Sequence, residues 1–581
     1  MTAPLLFLLA FGVSLRLMGP GLALEDAGEF ATAAVTLTLT HPPGYPLYLL
    51  AGKLAALLPV GSPGFRLACL SAGCSALAAV FVYGCARECL GTGRLAAAGC
   101  GLALAWTPAA ALQSSLADKY PLNLALLSAL IWLCWRAGQI PARRLDSLAL
   151  LGGISFAHHM TTLYLAPAVL GLAWQRRLWI DRRRLVILCL LGGLGVSLKP
   201  VALPLLSSAT PSLMYARLDS ARMLERYLSA KEYSGRFAAY SAGEKLLRVA
   251  TTGLPELVRQ AGWPLVVLAL LGGVALWCRA RSPLVAGIAG AGIAVWLVSS
   301  FQIAGVGYYL LPVVAFLALL AAGSLARPAG RAGPPVAAAL GVLLAAHAGL
   351  RSLPAADLSR YVGALDWGRN LLASTPRDGI LVTQHDDDFF PVVYAQRVLG
   401  ERLDVVVIHR PFLTRLWHHA QVEALHPGFT VLDPAIIPWG RTVIPEDLIN
   451  IFLRSHFGKR PIVFTYLANA ECAGGFRLLP DGAGFRVGRA GAEAPLPRTT
   501  AFGLHLARFR WRSAFAAYPA KSRFAEVAGA PAASWTQLAA RWYDAGDRAE
   551  ARVALARALR FPYTRVIPED LARIKSALAL P

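Results

Sequence analysis

Long apolar runs separated by short basic turns fill the first 350 residues of the chain. An apolar start at residues 4–18 is followed by runs at residues 67–86, 95–112 and 122–135. Each run comes close to the ~20 residues that cross a bilayer as a helix. Another run covers residues 185–206, and four more begin near Trp263, Leu284, Tyr308 and Pro334. This pattern predicts a polytopic α-helical membrane protein over residues 1–350.

The run at residues 145–174 has basic residues on both sides, with Arg143 and Arg144 before it and a basic cluster after it. Because basic loops stay on the cytoplasmic side, such a run crosses the membrane an even number of times. We therefore divide it at His158 and His159 into two short helices that form a hairpin. With this hairpin counted as two, we predict about eleven crossings and an exterior location for everything after residue 350.

Residues 355–500 have a different pattern, which predicts a small exterior α/β domain. Short runs rich in β-branched residues alternate there with helical stretches: GILVTQ at 379–384, DVVVIHR at 404–410 and PIVFTYL at 461–467. Residues 501–581 are predicted to be mainly helical. There the spacing of Trp535, Leu538 and Tyr543 before Gly546 resembles one tetratricopeptide-like helical hairpin.

Composition supports a membrane protein and narrows its partners. Hydrophobic residues make up 56% of the chain and charged residues 15%, and the mean hydropathy is +0.52. The formal net charge of +23 owes much to arginines between apolar runs, so we expect membrane lipid and no nucleic acid as a partner. The nine cysteines show no CxxC pattern, which argues against structural zinc.

Three carboxylates, Glu25, Asp26 and Glu29, follow the first apolar run. Carboxylates at a membrane boundary are costly unless they face water, each other or a ligand. In a helix Asp26 and Glu29 share a face, as do Glu25 and Glu29, and nearby carboxylates push their pKa values apart. The acidic first turn of an ordinary helix would give the same pattern. The HPPGYP that follows at residues 41–46 favours a functional site, because its prolines fix a backbone corner.

These stretches resemble a known family. The first likeness is DAGEF at residues 26–30 followed by HPPGYPLYLLAGK at residues 41–53. It is similar to the amino-terminal signature of a bacterial domain-of-unknown-function glycosyltransferase family, related to the eukaryotic transmembrane-protein O-mannosyltransferases and of GT-C architecture. ADKYPLN at residues 117–123 resembles a segment that usually reads AEVYALN, and residues 154–168 resemble an LGNHLT-type segment. Residues 385–413 resemble its GDNDTFPLWYLQ stretch, with QHDDD in place of GDND.

The resemblance implies an integral-membrane glycosyltransferase. It would move a sugar, with mannose as one candidate, from a polyprenyl-phosphate-linked donor to a hydroxyl acceptor on the non-cytoplasmic face. The acceptor would be protein Ser/Thr, a lipid or a glycan. By motif Asp26 is the general base and Glu29 its supporting neighbour, and single displacement would invert the anomeric configuration. The protein would lie in the bacterial inner membrane, with its carboxy-terminal part in the periplasm.

Other candidate residues face the same side as Asp26 in this topology. The leaving lipid phosphate needs a cation, for which we consider Lys199 first and Arg217 second, although a helix-end lysine also snorkels without such a role. The pattern requires no cofactor, and a divalent ion held by Asp26 and Asp118 is the one we consider. The candidate substrate-binding residues are His41, Tyr45, Asp118, Tyr120, His158 and His159. A solvated turn would equally explain Asp118 and Tyr120, and a solvated hairpin tip would explain the two histidines.

Two other functions fit parts of the pattern. A transporter or lipid flippase would also carry carboxylates, histidines and a lysine in a membrane domain. A non-catalytic envelope scaffold would use the exterior domain to bind partners. The acids lie in exterior loops and no inverted repeat is visible, which favours the transferase. The run from Asp386 to Asp388 follows a predicted strand, and we assign it either acceptor contact or a structural role.

Overall fold

The computed structural model describes residues 3–137, 145–175, 177, 181–208, 217–277, 281–301, 306–326, 333–433, 445–465, 475–489, 496–512, 523–561, 576 and 578. Arg143 and Arg144, on which part of the predicted sidedness rests, lie outside the described residues. The orientation of the chain in the membrane therefore stays a prediction.

The described residues between 3 and 352 are mainly helical. The helices before residue 176 are α1 Ala3–Leu17, α2 Ala27–Thr36, α3 Pro46–Ala56, α4 Pro63–Cys89, α5 Arg94–Ala105, α6 Pro108–Gln113, α7 Tyr120–Ala137, α8 Leu145–His158 and α9 Ala166–Gln175. Those that follow are α10 Arg182–Ser208, α11 Ala221–Leu228, α12 Ser234–Ala238, α13 Ala242–Arg248, α14 Leu254–Ala261, α15 Trp263–Trp277, α16 Arg281–Ser300, α17 Leu311–Ser324 and α18 Gly333–Ser352.

Among the described helices, four are long and apolar enough to cross a membrane: α4, α10, α18 and the segment Gly307–Ser324 that contains α17. A further candidate is Ala242–Ala261 together with α15, two pieces bent by 98°. Shorter apolar helices include α1, α3, α5 and α8. The predicted apolar runs thus form helices where they were expected, while the total of about eleven crossings stays a prediction.

The run at residues 145–174 is divided at the predicted place. α8 ends at His158, a short 3-10 turn covers Met160–Leu165, and α9 follows. The alternative of a solvated tip was wrong, because His158 is fully buried and His159 is only 5% exposed. The tip folds back onto other loops: the His158 Nε2 lies 3.2 Å from the carbonyl oxygen of Lys119, and the His159 ring stacks on Tyr45.

A five-stranded sheet follows the membrane region, with strand order β2-β1-β3-β5-β4. β1 is parallel to β2 and β3, and β4 and β5 form an antiparallel hairpin whose strand β5 pairs with β3. Its elements in chain order are α19 Gly363–Ser374, β1 Ile380–Thr383, α20 Asp386–Arg397, β2 Val406–His409, α21 Leu416–Leu425, α22 Pro445–His456, β3 Ile462–Thr465, β4 Phe476–Asp481 and β5 Gly484–Arg489.

The three predicted strands and the helix after the first of them are confirmed. The β4–β5 hairpin was not predicted, because Pro480 and several arginines interrupt its alternation. Pro480 is tolerated since β4 is an edge strand.

The last described elements are helical: α23 Thr499–Leu506, α24 Arg523–Ala528, α25 Ala530–Asp544 and α26 Arg548–Ala558. α25 and α26 pack around Trp535, Leu538 and Leu555, with Gly546 at φ 84° in the turn between them. The helices α25 and α26 therefore form a pair at the predicted position. Its kinship to a repeat unit stays a prediction, as do the domain boundaries at residues 350, 355, 500 and 501.

One continuous hydrophobic core joins the start of the membrane region to the five-stranded sheet. It includes Phe30 on α2, Tyr48 on α3, Trp367 on α19 and Phe390 on α20, and it extends into β1 and β2. α20 packs directly against α2. The segment that carries the acidic motif is thus held by the sheet domain as well as by the membrane helices.

Gly28 marks the closest approach of these two helices. A Cβ at this position would lie 2.8 Å from the Phe390 Cβ and 3.0 Å from its carbonyl carbon. We expect Gly28→Ala to lower the free energy of unfolding by about 1–3 kcal/mol through overpacking, measured by denaturant unfolding in mild detergent. Gly73→Ala on α4 is the control, since nothing lies within 4 Å of its Cβ position. Equal stability of the two variants would contradict this packing.

Candidate active site

The acidic motif lies at the start of α2. Asp26 is the N-cap residue of this helix, although its side chain makes no capping hydrogen bond, and Glu29 lies in the first turn. Glu25 precedes the helix in a left-handed conformation with φ 59°. The prediction that Glu25 and Glu29 share a helix face was therefore wrong, because the helix starts only at residue 27.

HPPGYP forms the predicted corner between α2 and α3. The Pro42–Pro43 peptide is cis, and Gly44 has φ 79°. A Cβ at Gly44 would lie 2.7 Å from Leu203 on α10 and 2.9 Å from the Tyr227 ring on α11. The Tyr227 hydroxyl also donates a hydrogen bond to the carbonyl oxygen of Thr40. The corner is therefore held by α10 and by α11.

Glu29 fastens this corner to α2. Its fully buried carboxylate accepts the backbone N–H of His41 at 2.5 Å and pairs with the His41 Nδ1 at 2.7 Å. Burial lowers the pKa of His41, but the Glu29 carboxylate more than offsets this and raises that pKa above its usual value. Because both Glu29 oxygens are engaged by His41, Glu29 supports the site and is not free to act on a substrate.

Asp26 is held by a buried cation, Lys119. The Lys119 Nζ donates to the Asp26 Oδ2 at 2.5 Å and lies 3.4 Å from the Asp118 Oδ1. The Lys119 side chain is 1% exposed, whereas that of Asp26 is 33% exposed. Burial raises the pKa of Asp26, but Lys119 and His41 together bring it below its ordinary value. An accessible carboxylate is thereby kept ionised by a cation buried beneath it.

Aromatic rings surround this cation. The Lys119 Nζ lies 4.3 Å from the ring centroid of Tyr120, 4.8 Å from that of Phe30 and 5.5 Å from that of Tyr45. Such rings attract a cation through their negative faces. Burial lowers the pKa of Lys119, yet Asp118 and Asp26 raise it well above its usual value, so the ammonium stays charged.

The positive charge of Lys119 offsets the burial of the neighbouring acids Glu25 and Asp118 less completely than that of Asp26. Burial, followed by the charges of Asp118, Asp26 and Asp387, raises the pKa of Glu25 to about 8. Burial also raises the pKa of Asp118 to about 6, although Lys119 opposes this. One lysine thus faces several carboxylates, and Asp26 is the member of the group that it holds most closely.

Most of the candidate residues named from the sequence are brought together. His158 and His159 contact the Lys119 loop and Tyr45, and the Lys199 Nζ lies 5.8 Å from the Tyr45 ring centroid. Lys199 is 7% exposed, so it does not snorkel into water. The full group is Asp26, Glu29, His41, Tyr45, Asp118, Tyr120, His158, His159 and Lys199. Arg217 is exposed, and among the described residues no hydrogen bond or ion pair links it to the group.

Sequence reasoning missed three members of the site. Lys119 is the most important, and its signal was a charged residue beside Asp118 in an otherwise uncharged segment. Tyr308 and Tyr309 also contribute. The Tyr120 ring stacks on the Tyr308 ring with 4.1 Å between ring centroids, and it contacts the Tyr309 ring edge-on with 5.6 Å between centroids. Their signal was a Tyr-Tyr pair at the exterior start of an apolar run.

A divalent ion has candidate ligands here, but the arrangement does not suit one. Asp26, Glu29 and His41 place ligand atoms within 4.8 Å of one another, and Asp118 is not in this group among the described residues. The donor types would suit a divalent ion. However, Glu29 and His41 already bind each other, and an Asp26 oxygen is taken by Lys119. In this structure the positive charge beside Asp26 is the Lys119 ammonium.

The pair of Glu29 and His41 predicts a pH dependence of stability. Because the folded-state pKa of His41 is raised, its stabilising contribution is fully present below the unfolded value of about 6.5 and is lost as pH rises through the folded value. We expect the melting temperature of the wild-type protein to fall as the pH rises through the folded-state pKa of His41. His41→Gln should flatten the dependence, as measured by melting temperature in detergent across pH. An unchanged slope in the variant would contradict a charged pair.

Two family models match the chain. Residues 26–181 match the protein O-mannosyl-transferase TMEM260 N-terminal domain, and residues 364–426 match TMEM260-associated domain 2. The first match begins at Asp26 and covers the corner, the Lys119 loop and the histidine pair. The second covers α20, which packs on α2. These matches confirm the family resemblance inferred from the motifs.

The fold is similar to that of ArnT from Cupriavidus metallidurans. The structure of ArnT bound to undecaprenyl phosphate has 13% identity and a TM-score of 0.53, and the match covers 85% of this chain and 98% of ArnT. The apo structure has 13% identity and a TM-score of 0.55, with 83% and 97% covered. At this identity the likeness shows the fold alone. The chain thus carries two segments similar to domains of the TMEM260 protein O-mannosyl-transferase family, in a fold similar to that of ArnT.

Proposed function

We propose that this protein is a membrane glycosyltransferase that moves a sugar from a polyprenyl-phosphate carrier to a hydroxyl acceptor on the non-cytoplasmic face. The observation that carries the proposal is an accessible, ionised carboxylate, Asp26, held by the buried ammonium of Lys119. The name of the matched family model supports mannose as the sugar and protein Ser/Thr as the acceptor. The lipid bound in the ArnT structure supports the carrier.

The chemical step is a single displacement with Asp26 as general base. The acceptor oxygen forms a bond to the anomeric carbon while the bond from that carbon to the phosphate oxygen breaks. The hydroxyl proton passes to the Asp26 carboxylate, and the electron pair of the broken bond leaves with the polyprenyl phosphate. A base with a low pKa is fully ionised at neutral pH and accepts the proton late, when bond formation has made the hydroxyl acidic. Attack from the opposite face inverts the configuration.

The leaving phosphate needs positive charge, and Lys199 is our candidate to supply it. Its ammonium is buried, forms no ion pair with an acid among the described residues, and lies near the same Tyr45 ring as Lys119. A cation in a site with little water stabilises developing negative charge far more than one in bulk solvent. Arg217 stays the second candidate. It is exposed and follows α10 in the chain, where it would bind the lipid phosphate as the donor enters the site.

We assign sugar and acceptor binding to the rings and polar groups around Asp26. Tyr45, Tyr120 and His159 present amphipathic rings that suit a substrate with an apolar face and hydroxyl edges. Among the described residues, the buried His158 Nδ1 has no hydrogen-bond partner, so a donor hydroxyl from the substrate would satisfy it. His41 and Asp118 act mainly by positioning Glu29 and Lys119.

We place the protein in the bacterial inner membrane, with the sheet and the carboxy-terminal helices on the periplasmic side. Residues 1–350 would form the catalytic membrane domain, residues 355–500 the exterior α/β domain and residues 501–581 a helical region. The continuous core between α2 and α20 supports an exterior domain that works with the membrane domain.

Mass spectrometry of the cell envelope, with and without this protein, tests the function. We expect a hexose on Ser or Thr of some exported proteins that disappears when the protein is removed and returns with the wild-type gene. If protein glycans, glycolipids and polysaccharides are all unchanged while lipid-linked sugar is transported in proteoliposomes that lack an acceptor, the protein is a transporter.

A further inference from the structure

The exterior domain makes a direct polar contact with the acidic motif. Asp387, on the first turn of α20, accepts the backbone N–H of Glu25 at 2.9 Å through its Oδ1. Glu25 is the residue immediately before Asp26, and it has a left-handed backbone with φ 59°. This conformation costs energy for any residue with a Cβ, so the surrounding contacts must hold it.

Asp387 is well placed to hold a backbone because its own helix end is fixed. The next residue, Asp388, is fully buried and accepts hydrogen bonds from the Trp367 Nε1 at 3.0 Å and the Thr465 Oγ1 at 2.6 Å. These bonds tie the start of α20 to α19 and to the end of β3. Asp386, by contrast, is largely exposed. The three consecutive aspartates therefore have three different surroundings.

A second contact fixes the distance between the two helices. Gly28 has its α-carbon against Phe390 with no room for a side chain, as described above. α20 thus touches the motif on both sides of Asp26, through Asp387 at residue 25 and through Phe390 at residue 28. Between these two points lies the carboxylate that meets Lys119.

We propose that Asp387 of the exterior domain is a positioning residue, which holds the backbone at Glu25 in its left-handed conformation and thereby aims the Asp26 carboxylate. The catalytic unit then includes the exterior domain, since the membrane helices alone do not supply this contact. The inference rests on the proposed role of Asp26 as general base for its kinetic consequence, but its structural part is independent of that role.

The hydrogen bond and the negative charge of Asp387 have separable effects. Asparagine keeps an Oδ1 that can accept the Glu25 N–H but removes the charge, whereas alanine removes both. For Asp387→Ala we expect kcat to fall about tenfold, as the loss of one charge-assisted hydrogen bond implies, with KM for the donor nearly unchanged. Asp387→Asn should retain most of the wild-type kcat. Equal losses in both variants would overturn the positioning role in favour of a charge effect.

Glycine at residue 25 provides a rescue test, because glycine adopts positive φ without strain. Glu25→Gly in the Asp387→Ala background should recover part of the lost kcat. Asp378→Asn, at an exposed carboxylate of the same domain, is the matched control and should leave kcat unchanged. A double variant that is slower than Asp387→Ala would contradict the account.

Hydrogen–deuterium exchange on the full chain in detergent separates failure of this inference from failure of the proposed function. The amides of residues 24–28 should exchange slowly in the wild type and in Asp387→Asn, and several-fold faster in Asp387→Ala. If the amides of residues 24–28 exchange equally fast in the wild type and in Asp387→Ala, the positioning role is wrong even if transfer is observed. Faster exchange in Asp387→Ala without any transfer activity in the wild type sinks only the function.

Discussion

Lys119→Met is expected to lower the rate of sugar transfer by about 10²–10³-fold, the loss typical when a preorganised electrostatic group is removed from an active site. It should also lower the free energy of unfolding by about 3–5 kcal/mol, because the buried Asp118 and the partly buried Asp26 would lose their common counter-charge. Methionine has nearly the length of lysine, so the space among the aromatic rings stays filled.

The same variant should change the pH dependence of the reaction. In the wild type Lys119 lowers the pKa of Asp26, so the carboxylate remains ionised well below neutral pH. Without the ammonium, burial and the neighbouring acids raise that pKa. The acidic limb of the kcat/KM profile should therefore move to higher pH, and activity should be partly regained in mildly alkaline buffer.

Lys231→Met is the matched control, since Lys231 is exposed. It should leave both rate and stability close to wild type. A Lys119→Met protein with wild-type transfer and an unshifted profile would show that the buried ion pair plays no part in the chemistry.

Asp26→Asn is expected to lower kcat by about 10²–10⁴-fold, the range contributed by a positioned general base. Asparagine has the same shape and can still accept a hydrogen bond from Lys119, which also keeps its ion pair with Asp118. Folding and membrane abundance should therefore be preserved, and KM for the lipid donor should change little. Asp357→Asn, at a surface ion pair with Arg16, is the control for loss of an acid outside the site.

Neighbouring acids should respond differently from Asp26. Glu29→Gln weakens the link to His41, and its main effect should be on stability and on the placement of the corner. A variant series in which Glu29→Gln abolishes transfer while Asp26→Asn is nearly active would exchange the roles that we assign to these two residues.

The membrane helices and the three parallel strands could be predicted because their signals are local. Apolar length predicts a helix in lipid, and β-branched runs between turns predict buried strands. The corner at residues 41–46 was predictable for the same reason, since proline restricts its own backbone and that of the preceding residue. Asp26 was selected through a family likeness, which its place beside a buried lysine now supports.

The partners of Asp26 could not be predicted, because they come from distant parts of the chain. Lys119 lies 93 residues away and Asp387 contacts the motif across 362 residues of sequence. The burial of the histidine pair could not be predicted from its own segment, which fitted a solvated hairpin tip as well as substrate binding. Its burial depends on the Tyr45 ring and on the Lys119 loop, and the sequence near residue 158 gives no sign of either contact.

The most direct test of the central claim is a transfer assay with the purified full-length protein in lipid nanodiscs. The substrates are a polyprenyl-phosphate mannose with a labelled sugar and an acceptor peptide rich in Ser and Thr. We predict labelled peptide with inverted anomeric configuration for the wild type and a loss of about 10²–10⁴-fold for Asp26→Asn at equal protein concentration. Equal transfer by Asp26→Asn and the wild type, or a product with retained configuration, would contradict the account.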